Sequence, residues 1–183
     1  HAVAIRYPRG ACRSIDVKGR LEEIPAGTAE VLKEGADVAI IAIGTMVHPA
    51  LEAAGRLEQA GIRAAVINAR FVKPLDEGAI LGAASAARFG VVTVEENAVM
   101  GGFGSAVAEL LCEQGMLCPM KMIGVPDEFI EHGGQGELRK RLGLDADGIE
   151  RVVAEFVSSG RKAVDAASPR PALSQEEDYT REG

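Results

Sequence analysis

Apolar and polar positions alternate between two periods along this chain. Val38 to Ile43 is a continuous, β-branched apolar run, the pattern of a strand buried on both faces. Ala64 to Asn68 and Gly90 to Val94 repeat it, and Lys121 to Val125 predicts a fourth buried strand. Between them the period lengthens. His48, Leu51, Ala54 and Leu57 fall at helical spacing, with Gly61 as a stop, and Pro74-Leu75-Asp76 opens a second helix through Ile80 and Ala84. Further helices are predicted from Ala106 to about Glu113, over 135–142 and over 146–158, the last with Asp145 as N-cap. Gly27 to Lys33 and the opening Ala2-Val3-Ala4-Ile5 also read as strands, the latter ended by Pro8 and Gly10.

Strands alternating with helices at these lengths imply right-handed crossovers and a mostly parallel sheet, hence the α/β class. The expected organisation is three segments. Residues 1–26 are the end of a preceding domain and a polar linker, 27–160 the α/β domain, and 161–183 a disordered tail rich in Ala, Ser, Pro and acids. The chain opens on His1 rather than Met, which suggests a piece of something longer.

Composition narrows the function. The chain has 183 residues, 47% hydrophobic but only 4% aromatic, so its core must be Ala, Val, Ile and Leu. A net charge of −7 argues against a nucleic-acid-binding surface. Cys12, Cys112 and Cys118 show no CxxC spacing, so reduced thiols are expected rather than a disulfide framework or a zinc site. No stretch approaches the roughly 18 apolar residues that span a bilayer, and a cytoplasmic protein (or a plastid one, in a plant) with no membrane partner is expected.

Several segments carry candidate chemistry, each with a plainer alternative. Gly101-Gly102-Phe103-Gly104-Ser105 joins a strand to a helix and suits either an anion at the helix N-terminus or close helix packing. It is neither a dinucleotide fingerprint nor a Walker loop. Glu95-Glu96-Asn97 ends a buried strand, where open α/β sheets place ligands; acid–base work, a cation, or a capping or interface carboxylate all fit, with capping favoured. His1, His48 and His132 are scattered without metal spacing. Arg6 and Arg9 flank a Pro-stiffened turn and suit either phosphate or solvent. Arg70 and Lys73, beyond the end of a strand, suit either an anion or acids of a neighbouring domain.

Taken in order, R-Y-P-R-G (6–10), A-I-G-T-M (42–46), N-A-R-F-V-K-P-L-D (68–76), V-T-V-E-E-N-A-V-M-G-G-F-G-S (92–105), G-V-P-D-E-F-I-E-H-G (124–133) and L-G-L-D-A-D-G-I (142–149) closely resemble the C-terminal, third domain of the 1-deoxy-D-xylulose-5-phosphate synthases, in the transketolase superfamily. The resemblance covers about residues 2–158. It implies a three-layer domain with a mixed, mostly parallel five-stranded sheet and helices on both faces.

The resemblance also implies a transferase that uses thiamine diphosphate and Mg²⁺ to condense pyruvate with glyceraldehyde 3-phosphate, releasing CO₂, on the way to isoprenoid precursors, thiamine and pyridoxal. The cofactors would belong to other domains, since no G-D-G run occurs here. This chain alone is expected to be inactive, with no catalytic, cofactor or metal residue of its own. Its expected partners are the other domains, a second copy in a homodimer, and the two substrates. Among its residues only Arg9 matches a substrate contact of the family, to the acceptor's phosphate. The C-terminal domain of a 2-oxoacid dehydrogenase β-subunit shares the fold, but R-F-V-K-P-L-D favours the synthase. A free-standing binding module is the remaining alternative.

Overall fold

The computed structural model describes residues 2–8 and 23–167. Five strands form one sheet: β1 (Glu30–Lys33), β2 (Val38–Ala42), β3 (Ala64–Asn68), β4 (Val91–Ala98) and β5 (Met120–Val125). The helices are α1 (Val47–Gln59), entered through the 3₁₀ turn Gly44–Met46, then α2 (Glu77–Ala86), α3 (Phe103–Glu113), α4 (Gln135–Arg141) and α5 (Ala146–Ala167). The spatial order is β1-β3-β2-β4-β5, parallel except that β1 runs antiparallel to β3.

Strand β2 shows why three layers form. All five of its residues are buried, and successive side chains leave opposite faces. Val38, Ile40 and Ala42 join Val66, Val92 and Val94 beneath α1 and α5, meeting Ala50, Ala53, Leu57, Ile149, Val153 and Val157. Ala39 and Ile41 join Ala65, Ile67 and Val91 beneath α2 and α3, meeting Ile80, Phe103, Val107 and Leu110. A strand wetted on neither face needs no polar position, so the continuous apolar run follows directly from the double coverage. Cutting Leu57 or Ile149 back to Ala would cost about 2–5 kcal/mol.

The chain steps from β2 to β3 on one side, then crosses back to β4 on the other. That reversal opens a crevice beyond the carboxyl ends of β2, β3 and β4, where sheets of this kind receive ligands.

The structure corrects three sequence expectations. Ala2-Val3-Ala4-Ile5 is not a strand: its residues are exposed and pair with no described strand. An apolar, β-branched run becomes a strand only when it pairs with a neighbour, and this one stays unpaired among the described strands. Strand β4 runs past Val94 through Glu95-Glu96-Asn97 to Ala98, which pairs with Val125. Helix α5 continues to Ala167, into the segment expected to be a tail from residue 161. It continues because Phe89 supports it: a Cβ on Gly160 would lie 3.0 Å from the Phe89 ring, and the Arg161 guanidinium lies 5.7 Å from that ring's centroid. Residues 168–183 and most of the expected linker, residues 9–22, fall outside the described residues.

Candidate functional site

The two acids at the end of β4 leave opposite faces of the strand and do different work. Glu95 is fully buried. Its Oε2 accepts the backbone N–H of Phe103 at 2.7 Å, and its Oε1 that of Gly104 at 2.8 Å. These are first-turn donors of α3, which no residue of the helix itself can satisfy. The carboxylate therefore fills the positive end of α3. Gly102 and Gly104 let it approach: a Cβ on Gly102 would strike the Glu95 carboxylate and the Ala98 carbonyl, and one on Gly104 would lie 2.7 Å from Thr93 Oγ1. Both readings of the glycine-rich junction hold in one sense. Its N-terminus binds an anion, and that anion is the chain's own. Gly101 N–H donates to Ser105 Oγ at 3.0 Å and Ser105 Oγ donates to the Val99 carbonyl at 2.9 Å, closing the loop.

Glu96 points the other way. Its Oε1 accepts Arg139 Nη2 at 2.6 Å and Nε at 2.9 Å, and Gln135 Nε2 at 3.3 Å. Its Oε2 accepts the Thr45 hydroxyl at 2.6 Å. This network ties α4 to the turn after β2, and no sequence spacing announces it, since Thr45 and Arg139 lie far apart along the chain. Beside it, Val125, Ile130, Leu138, Leu142 and Leu144 line an apolar hollow of about 330 Å³.

The loop after β3 is held at both ends. Arg70, in the left-handed region at φ 56°, pairs with Glu30 at 2.6 Å. Asp76 caps α2 through Ala79 N–H at 3.0 Å and accepts Ala29 N–H at 2.8 Å. The Ala29 bond first, then the Ala79 bond, holds the Asp76 carboxyl below its usual value of 3.8. Between these anchors, Arg70 to Pro74 form one wall of a larger cleft of about 770 Å³. Arg6, Tyr7 and Pro8 line it as well, together with Gly44, Thr45, Glu96 and Asn97. The crevice at the strand reversal is thus lined in part by the residues just before Arg9, the one predicted substrate contact. Arg9 itself lies outside the described residues.

The remaining candidates do not assemble. His48 and His132 are exposed on different elements. Cys112 is exposed and Cys118 half-buried, with burial pushing the Cys118 thiol above its usual 9.0. Among the described residues no group of three or more His, Cys, Asp or Glu is placed to hold a metal ion. The helix terminus where a diphosphate would sit, at α3, already holds Glu95. Among the described residues, this helix end and the absence of a metal-holding cluster do not fit thiamine diphosphate with its metal.

Comparison with known proteins supplies the relatives. The family model "Transketolase, C-terminal domain" matches residues 27–149. 1-Deoxy-D-xylulose-5-phosphate synthase 1 of Geobacter sulfurreducens is 54% identical over 174 residues, covering 94% of this chain and 26% of that protein. The 1-deoxy-D-xylulose-5-phosphate synthase of Heliobacterium modesticaldum is 46% identical over 171 residues, covering 92% and 26%. The chain thus spans about a quarter of the length of these curated relatives. Among solved structures, a split-gene transketolase described as an inactive beta4 tetramer superposes with a TM-score of 0.70 at 39% identity, covering 75% of this chain and 44% of that one. A transketolase from Pichia stipitis shares the fold at 20% identity and a TM-score of 0.53, covering 73% and 18%. With the model spanning both sheet faces and the crevice, the chain belongs to the transketolase C-terminal domain family.

Proposed function

We propose that this chain is the C-terminal part of a 1-deoxy-D-xylulose-5-phosphate synthase, a transketolase-type transferase that condenses pyruvate with glyceraldehyde 3-phosphate and releases CO₂. The carrying observation is the 54% identity to such a synthase across 94% of this chain. The cofactor thiamine diphosphate and its Mg²⁺ supply the carbon–carbon chemistry from the rest of the polypeptide. This chain contributes a rigid sheet that packs against those domains, helps form a homodimer, and offers cationic groups to the acceptor.

Within that role Arg9 contacts the phosphate of glyceraldehyde 3-phosphate. Support comes from its neighbours, since Arg6 to Pro8 wall the cleft at the carboxyl ends of the strands. A guanidinium there acts by charge-assisted positioning of a dianion and makes no bond.

The test is Arg9→Ala in the synthase that contains this chain. KM for the phosphorylated acceptor should rise about 10–100-fold, matching roughly 1.5–3 kcal/mol for a hydrogen bond to a charged group. Unchanged KM and kcat would remove Arg9 from the site.

A further inference from the structure

Charge pairing around the larger cleft leaves an imbalance that the function above does not use. Three charged residues line it from the domain side, Arg70, Lys73 and Glu96, and one, Arg6, from the N-terminal segment. Arg70 is neutralised by Glu30 at 2.6 Å, and Glu96 by Arg139 at 2.6 Å. Arg6 and Lys73, also on its walls, have no acid partner among the described residues. In a chain of net charge −7, the crevice at the strand reversal is therefore locally cationic. Its volume of about 770 Å³ is that of a small-molecule site rather than a surface dimple.

Lys73 is also held where it can act. The loop that carries it is anchored through Arg70 to Glu30 on one side and through Asp76 to Ala29 on the other. Pro74, the next residue, packs so closely on Gly27 that a Cβ there would lie 2.9 Å from Pro74 Cγ. The left-handed backbone at Arg70 is the one positive-φ position among the described residues other than glycine, and it sits at the start of this loop. A non-glycine residue held in that region points to a loop shape kept for a reason other than local stability. Asn68 Oδ1, accepting Arg70 N–H at 3.2 Å, and the Glu30 pair fix that shape.

We propose that Lys73, which lines the same cleft as Arg6, is a positioning residue for the phosphate monoester of the acceptor. The proposal rests on the synthase reading above and adds a cationic residue of the domain itself to the phosphate contact proposed for Arg9. A lysine suits this place as a compact charge on a flexible stem, reaching a dianion from a loop whose base is fixed. It takes no part in bond-making. Its effect belongs to binding of the phosphorylated substrate and not to the carbon–carbon step.

The experiment uses the synthase that contains this chain, with Lys73→Met and Lys73→Arg assayed beside Arg9→Ala. With glyceraldehyde 3-phosphate, Lys73→Met should raise KM about 10-fold, with kcat and the KM for pyruvate nearly unchanged. Lys73→Arg should restore most of the loss. With unphosphorylated glyceraldehyde as acceptor, Lys73→Met should behave as wild type. If Arg9→Ala raises the KM and Lys73→Met does not, the lysine proposal fails while the synthase reading stands. If the unmodified enzyme does not turn over the two substrates, the reading itself fails. An equal KM rise with both acceptors, or a lysine effect seen only as weaker assembly of the enzyme, would place Lys73 against a protein carboxylate and overturn the proposal.

Discussion

Glu95 on strand β4 accepts the backbone N–H of Phe103 at 2.7 Å, so a fully buried carboxylate caps the helix that follows its own strand. Its other oxygen takes Gly104 N–H at 2.8 Å. A buried charge is costly unless it is hydrogen-bonded on every side that matters. Here two backbone donors and the end of the α3 dipole stand in for water. That is why β4 continues through an acidic stretch that elsewhere would end it.

Replacing this carboxylate separates its charge from its shape. Glu95→Gln keeps the size but leaves one oxygen for two donors, and turns an amide N–H₂ toward a backbone N–H. The expected loss is about 2–3 kcal/mol, comparable to hydrogen bonds to a charged group, or a fall in Tm of roughly 4–12 °C for a chain this long. Thermal unfolding followed by circular dichroism checks it. A Glu95→Gln protein melting with the wild type would show that the charge contributes nothing there.

Asp76 links stability to pH. Its two backbone hydrogen bonds, Ala29 first, hold the folded carboxyl below its usual 3.8. A lowered folded value means that ionisation favours the folded state. The contribution is complete above the unfolded value and is lost as pH falls from about 4 through the lowered folded value. Asp76→Asn retains a capping oxygen for Ala79 but cannot also accept from Ala29, at a cost of about 1–2 kcal/mol near neutrality. Urea unfolding of both proteins should show that gap from pH 6 to 7 and a narrowing below about pH 4. A gap independent of pH would assign the loss to packing and not to the charge.

What the sequence reveals and conceals about this domain follows from the range of each interaction. Val38 to Ala42 is legible because burial on both faces removes every polar position from a local run. The sheet order is consistent with that reading, but the antiparallel β1 carries no local mark: Val31 and Leu32 are exposed on an edge. Glu95 as a capping carboxylate is legible, since a glycine-rich helix start follows within one short turn. The Glu96–Arg139–Thr45 network is not, because its members come from three elements that only the folded chain brings together. The strand read at Ala2 to Ile5 fails for the same reason in reverse: its pattern suits a strand, but pairing is not a local property and it pairs with no described strand. For Arg6 and Lys73 the residue types suggest an anion, and only the folded chain brings both to one cleft.

The length of α5 gives the last test, because the apolar period alone ends that helix near residue 158. Beyond Val157 the helix carries little to bury, yet it reaches Ala167. The support is Phe89, buried before β4 and flanked by two guanidinium groups, with Arg88 at 5.0 Å and Arg161 at 5.7 Å from its ring centroid. Gly160 lets the helix backbone pass close to that ring. Arg161 also reaches the Gly61 carbonyl at 3.5 Å, past the end of α1. A cation over an aromatic face is worth about 0.5–1 kcal/mol when partly exposed, and the freed Phe89 ring adds exposed apolar surface. A chain ending at Ala167 should therefore be about 1–2 kcal/mol more stable in urea than one ending at Ser159. Arg161→Ala in the full chain should reproduce part of that loss, roughly 0.5–1 kcal/mol. Equal stability of the two truncations would mean that the last turns of α5 lie on the domain without holding it.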